Sequence, residues 1–469
     1  MRTVIMLLAI GAVATGEPLK PARKLQFDSD ATITAVTPEG EEAPSICILG
    51  PVKRLGTARG GVQLPKHWLW LAEMQRGYDA SVLAAQPPGI VMHFAPSLTA
   101  AQLDAMAKSP GLRYLAFGRS PVTTLDALVP AKDLEGLQVS QNGALTDIDA
   151  LEQLPNLRAL GLDGCMGLSR DALAVLPRLL RLERVYLAQS RADDALLANL
   201  PKSVTHLRLR GTAVRDKGLA VLAKRCKSLE EIDLESCGVT DAGIKSLARA
   251  KNLRRLHLGM TQVTEGALKS IAKCKELRAL DLSSVRLGTK ALKRWKGNAK
   301  LEVLVLVDCG VNADGMQAIA RRDGLKELTI HKIDDATLDV IGGLAAMERL
   351  HIRFSPELSD EAVVRALENM PKLRALSLSG GTGLTDACSG VFRKLKALEW
   401  LDLSRCANLT DATLKNLHGL PTLRQLVLSN CPKITPAGVQ ALRAATPSLQ
   451  QVNQMQMRTG NTPADVRPR

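Results

Sequence analysis

Apolar and polar residues follow one pattern along most of this chain: LxxLxLxx, then a small polar residue, returning every 22 to 26 residues. Copies begin at Leu112, Leu134, Leu157, Leu182, Val204, Leu229, Leu253, Leu277, Leu301, Leu325, Met347, Leu373, Leu398, Leu423 and, in degenerate form, Leu449. Residues 90–107 read as one further, atypical copy. In each copy the first apolar residue and those at +3 and +5 give the alternation of a short strand. The eighth residue on is Cys165, Cys237, Cys309, Cys406, Cys431, Asn142, Ser120, Ser190, Thr212, Thr261 or Ser355. A sharp turn there leaves backbone groups inside, and a small polar side chain can satisfy them. Val285, Ile333 and Gly381 depart from the rule and predict less regular turns.

Helix starts follow at Thr240-Asp241, Ser359-Asp360, Thr385-Asp386, Thr410-Asp411 and Thr435-Pro436, where Ser or Thr caps open amides and Pro suits the first turn. Apolar pairs three apart, such as Ile244/Leu247 and Leu414/Leu417, give each short helix an inward stripe. A single unit cannot bury that stripe alone. Stacking predicts an α/β solenoid of about fifteen repeats: a curved horseshoe with parallel strands on the concave face and helices on the convex face.

Residues 229–247 (LEEIDLESCGVTDAGIKSL) and 398–417 (LEWLDLSRCANLTDATLKNL) resemble the leucine-rich-repeat superfamily, and within it the cysteine-containing, ribonuclease-inhibitor-like subfamily. That resemblance spans roughly residues 90–455. It implies the solenoid fold and, since known members are inhibitors, ubiquitin-ligase receptors and adaptors, a binding role.

Outside the array, residues 1–16 carry one charge, Arg2, then an apolar run too short to span a bilayer and small residues at Ala14 and Gly16. They read as a secretory signal peptide; the alternative is an apolar N-terminus of a cytosolic protein. Residues 17–87 read as an N-terminal cap, with strands at 31–36 and 45–48 and an amphipathic helix over 64–83. The array then covers 88–455, and 456–469 read as a disordered tail. No other segment reads as transmembrane.

The net charge of +15 favours an acidic partner, but Lys and Arg are spread without a dense run, so a solvated basic surface is the simpler reading. No phosphate-binding loop, HExxH, CxxC pair or GxSxG elbow occurs, and the seven His are scattered. Neither enzyme, cofactor nor metal is expected, and nucleic acid is a weak expectation because no strip interleaves aromatic and basic residues. The acidic residues sit mostly at helix caps, where the amide dipoles explain them.

Strand alternation puts positions +2, +4 and +6 on the concave surface. His206, Arg208 and Arg210 form a basic row beside the acidic Glu231, Asp233 and Glu235, and such rows can pair with each other. Arg349, His351 and Arg353 form a basic row without an equally acidic neighbour, and Trp400 lies two repeats away. Val303, Val305 and Val307 make an apolar row. With Arg184, Tyr186, Arg255 and His257, the Arg, His and aromatic members of these rows are the candidate partner contacts, since Arg, Tyr and Trp are common binding anchors. The expected function is a non-catalytic, exported protein-binding scaffold, secreted or in the cell envelope. The alternatives are a cytosolic ubiquitin-ligase-type adaptor and a polyanion or nucleic-acid binder.

Overall fold

A computed structural model of the chain describes residues 98–108 and 111–454, together with the backbone of five earlier strands: Arg23–Leu25, Thr32–Ala35, Val62–Leu64, Trp70–Glu73 and Met92–Ala95. The expected signal peptide and tail lie outside the described residues. The chain divides into two compact units, Met1–Leu253 and Arg254–Arg469.

In the first unit, strands Trp70–Glu73, Met92–Ala95, Tyr114–Gly118, Gly136–Ser140, Ala159–Gly161, Arg184–Tyr186, His206–Arg208 and Glu231–Asp233 pair in parallel, each with its sequence neighbours. Residues 70–73 are therefore strand, against the expected helix over 64–83. The strand Met92–Ala95 offers a ladder edge, and joining it bonds backbone groups that would otherwise need other partners. Thr32–Ala35 adds an antiparallel strand to Trp70–Glu73. The atypical front copy is present as Met92–Ala95 followed by a helix, Ala100–Ala107, capped by Thr99. Short 3₁₀ turns at Asp126–Leu128, Asp149–Gln153 and Ala172–Arg178 replace the α-helix in the next three copies.

The second unit stacks nine parallel strands: Arg255–His257, Ala279–Asp281, Val303–Leu306, Glu327–His331, Arg349–Arg353, Ala375–Ser377, Trp400–Asp402, Gln425–Val427 and Gln451–Asn453. Register is kept throughout, so the +2 residues Arg255, Ala279, Val303, Glu327, Arg349, Ala375, Trp400, Gln425 and Gln451 form one row. Between the strands and the helical layer run columns of buried leucine, such as Leu256, Leu280, Leu304, Leu328, Leu350, Leu376, Leu401 and Leu426, none more than 1% exposed. Each such side chain contributes about 1.5–3 kcal/mol through burial, and only its neighbours in the stack make that possible.

Two polar ladders fix the spacing of the rungs. At the turn, each thiol of Cys165, Cys237, Cys309, Cys406 and Cys431 donates to a carbonyl of the preceding rung (Val139, Leu209, Leu282, Leu378 and Leu403) at 3.0–3.3 Å. Thr212 and Thr261 instead donate to their own rung, to Leu209 and Leu258. The turns at Val285 and Gly381 keep the backbone bond found at Cys237, from the amide to the carbonyl three residues back, so apolar or absent side chains there do not loosen the turn. Ile333 does differ: its amide donates to the Ser355 hydroxyl.

At the helix starts, Thr240, Ser359, Thr385, Thr410 and Thr435 cap their own helices. The carboxylate of the preceding rung (Asp216, Asp335, Asp360, Asp386 or Asp411) accepts both the amide and the hydroxyl of that same cap, at 2.9 Å and 2.5–2.6 Å. These aspartates thus do more than answer the helix dipole; they tie each rung to the next.

Candidate partner-binding face

All fourteen copies from Leu112 to Leu423 place their +7 residue in the left-handed region, φ +41° to +81°. That residue ends the strand face and begins the turn. Gly, Asn, Asp, Ser and Gln fill most of these slots, as steric cost dictates. Met260 and Phe354 do not fit that preference; they are 63% and 42% exposed, at φ +55° and +50°.

In the second unit, Phe354 is the centre of a cluster. The His331 ring meets it edge-on, with centroids 5.3 Å apart, and the Arg405 guanidinium lies 5.2 Å from its ring centre. His331 is oriented by Asp308, whose carboxylate is 2.8 Å from its Nδ1. Next to this cluster, His351 and Trp400 pack with ring centroids 5.4 Å apart. Both bridges cross the rung between them, which carries only Ala375, Ser377, Ser379 and Gly380 on this face. Two strand spacings are about 9.6 Å, so large side chains on the outer rungs can meet only where the middle rung is small. A Cβ on Gly380 would lie 3.1 Å from the Phe354 backbone and ring.

The Arg349–His351–Arg353 row is not without an acidic neighbour, as the sequence suggested. In-register pairing sets Glu327 beside Arg349, whose Nε donates to its carboxylate at 2.6 Å. Arg353 is exposed and Trp400 is half-buried. His351 is largely enclosed; burial and the nearby Arg353 and Arg349 hold its pKa below the ordinary imidazole value, with Glu327 and Asp402 opposing. Its Nδ1 is buried and has no hydrogen-bond partner among the described residues. Arg255 is exposed, and the His257 ring stands 3.9 Å from Asp281. Val303, Val305 and Val307 are each half-buried.

In the first unit the charged rows do pair across rungs: Arg208 with Asp233 at 3.7 Å and Arg210 with Glu235 at 3.0 Å. Tyr186 was expected on the surface but is 5% exposed, its ring lying 5.1 Å from the Arg208 guanidinium, which covers it. Arg184 and His206 are half-buried, with His206 Nδ1 2.8 Å from the Thr205 hydroxyl. The sequence reading missed Phe354 and Arg405 because it counted only alternating strand positions. The available signal was an aromatic ring in a slot that glycine, asparagine, aspartate, serine or glutamine fills in nine of the fourteen copies. No group of three His, Cys, Asp or Glu able to hold a metal occurs among the described residues, and none of their helices is long and apolar enough to cross a membrane.

The leucine rich repeat family matches residues 371–432, and a second leucine rich repeat family matches 225–248 and 297–320. Joined to the parallel, in-register stack, these matches decide the fold. The chain is a leucine-rich-repeat protein. Solved structures of low sequence identity are similar to it over much of its length. A leucine-rich-repeat protein of Leptospira interrogans is 18% identical, with 79% of this chain and 91% of that one covered and a TM-score of 0.44. An internalin of Listeria monocytogenes is 18% identical, with 76% and 86% covered and a TM-score of 0.39. Rad7, solved in complex with Elc1 from yeast, is 15% identical, with 68% and 82% covered and a TM-score of 0.47. None of the curated proteins compared matches the chain.

Proposed function

We propose that this leucine-rich-repeat protein is a non-catalytic scaffold, of the ribonuclease-inhibitor-like kind, that holds a protein partner on its strand face. The observation that carries this reading is Phe354. A large ring kept in left-handed backbone costs about 1–2 kcal/mol, yet it stays two-fifths exposed between His331 and Arg405. The left-handed slot belongs to all fourteen copies from Leu112 to Leu423, so what singles out Phe354 is the large ring placed there and left open to a partner. Arg353, Arg405 and Trp400 supply cations and an aromatic around it, the side chains that dominate protein interfaces. A partner presenting carboxylates around an apolar side chain fits this surface. The half-buried Arg349, His351 and His257 and the exposed Arg255 extend it, while Arg184, His206, Arg208 and Arg210 make a second row set.

Export is part of the proposal and rests on residues 1–16. The free thiols are no argument for export, though burial pushes Cys165, Cys226 and Cys274 up to about 11 and Cys309 and Cys406 up to about 12, away from the reactive thiolate, so they do not oppose it. Affinity capture with the mature chain tests the site. Proteins retained by wild type and lost by F354A/R405A and R353A/W400A support it, and unchanged capture by both variants rejects it. The mass of the protein recovered from its source tests export. Loss of the first 14 to 16 residues is expected, and an intact N-terminus would favour the cytosolic adaptor reading.

A further inference from the structure

We propose that the helix side of the second unit carries a second docking surface, built to seat the protein on a membrane surface bearing anionic phosphate headgroups. Residues 262–300 hold ten Lys and Arg against three Asp and Glu, nearly half of the chain's net charge of +15 in thirty-nine residues. The sequence shows no unbroken basic run, because the repeat spaces these residues apart; folding gathers them. Lys269 lies on the helix Leu268–Ile271, with Lys273 and Lys275 just after it. Lys290 and Arg294 lie on the helix Thr289–Arg294, with Lys296 after that. The two rungs are locked side by side. Glu265 accepts the Gly288 amide at 2.7 Å, and Asn298 Nδ2 donates to the carbonyls of Ile271 and Cys274 at 3.0 and 2.9 Å.

All six cations are exposed, and among the described residues none is paired with a carboxylate. The nearby carboxylates are committed elsewhere: Glu265 to Gly288, Glu276 to Lys300 at 2.7 Å, and Asp281 to the strand face. The cations are spread both along each rung and across two rungs, an area and not a track. No large apolar side chain is exposed among them; in the second unit Met260 and Phe354 are the exposed ones among the described residues, both at the strand-end turn, while Trp295 is 5% exposed. There is thus nothing here to stack on bases or to insert among acyl chains. Five of the six are lysines, with Arg294 the exception, and such mobile point charges suit mobile headgroups better than the fixed forks that read a rigid phosphate track. Polybasic surfaces of this kind bind anionic leaflets through charge alone. The strand face stays open for a partner, so this surface is independent of the reading above.

The test is co-sedimentation of the full chain with phosphatidylcholine vesicles, with or without about a third phosphatidylglycerol. Binding at least about tenfold tighter to the anionic vesicles is expected at about 0.1 M salt, with release at about 0.5 M as screening takes over. K269E/K273E/K290E/R294E is expected to lose about tenfold or more. K202E/K217E/K224E/K227E, the same charge change made in the first unit, is expected to keep binding. Circular dichroism checks that both variants fold, which the exposure of every changed residue predicts. Equal binding to neutral vesicles, no difference between the two variants, or a duplex DNA that binds while the vesicles do not would each overturn the proposal.

Discussion

Gly243 shows how one residue position records the architecture. It is the third residue of its helix, where alanine would ordinarily be better by about 1 kcal/mol. A Cβ there would lie 2.4 Å from Asp216 Oδ1, the carboxylate that caps from the preceding rung. Gly218 against Asp194 and Gly438 against Asp411 repeat the arrangement. Where threonine takes this place, at Thr413, its hydroxyl turns the crowding into a bond, donating to Asp386 at 2.5 Å. Gly243→Ala is therefore expected to destabilise by about 2 kcal/mol, read as a lower urea midpoint. Gly390→Ala, where nothing stands within 4 Å, should stay within about 0.5 kcal/mol. In an Asp216→Ala background most of the Gly243→Ala cost should vanish, because the two positions couple through one carboxylate; additive costs would exclude the mechanism. Phe354 gives the reverse case. Phe354→Gly should be about 1 kcal/mol more stable than Phe354→Ala, since glycine alone is relieved of left-handed strain, and both should lose the partner.

At the scale of the rung, the aspartate ladder and the strand face answer acid differently. Burial raises the Asp386 pKa, but the bonds from Thr410 and Thr413 outweigh it and hold the carboxyl below its ordinary value. Its contribution is present above about 3.9, the unfolded value, and is lost as pH falls through the lower folded value. His351 acts sooner. Its folded pKa is depressed by burial, so below about 6.5 the unfolded chain binds a proton that the native one refuses, and stability falls with pH in that window. The urea midpoint should drop between pH 7.5 and 5.5 in wild type by more than in His351→Gln; equal drops would remove His351 from the account. The rungs themselves were legible in the sequence, because the leucine columns and the Thr-Asp helix starts repeat in phase. The ties between rungs were not, because nothing in one copy shows that its aspartate serves the next copy's cap. The same limit hid the site. Arg349 finds Glu327, and Trp400 reaches His351 over Ala375, only through register. The 64–83 reading failed at 70–73 for a related reason: a local apolar pattern cannot see the ladder edge at Met92–Ala95.

Across the whole molecule, thiols serve as spacers. Cysteine is small, tolerates burial and donates weakly, so it can fill the turn and still satisfy one carbonyl of the preceding rung without the desolvation cost of a stronger polar group. The eight described cysteines are all buried and free, and desolvation is the first cause of the raised pKa of each. Reaction with a disulfide reagent needs a thiolate and access, and the stack denies both. Native protein should therefore show at most one fast thiol, Cys47, which lies outside the described residues, with the other eight appearing only as rungs open. Because a solenoid rung is held by its neighbours, labelling should follow the opening of several rungs together, and its urea dependence should match the loss of helical signal. Quick labelling of Cys406 or Cys431 in otherwise native protein, located by mass spectrometry, would mean that the turn column is not the buried spacer described, and that the in-register ladder it supports is looser than the bonds to Leu378 and Leu403 imply.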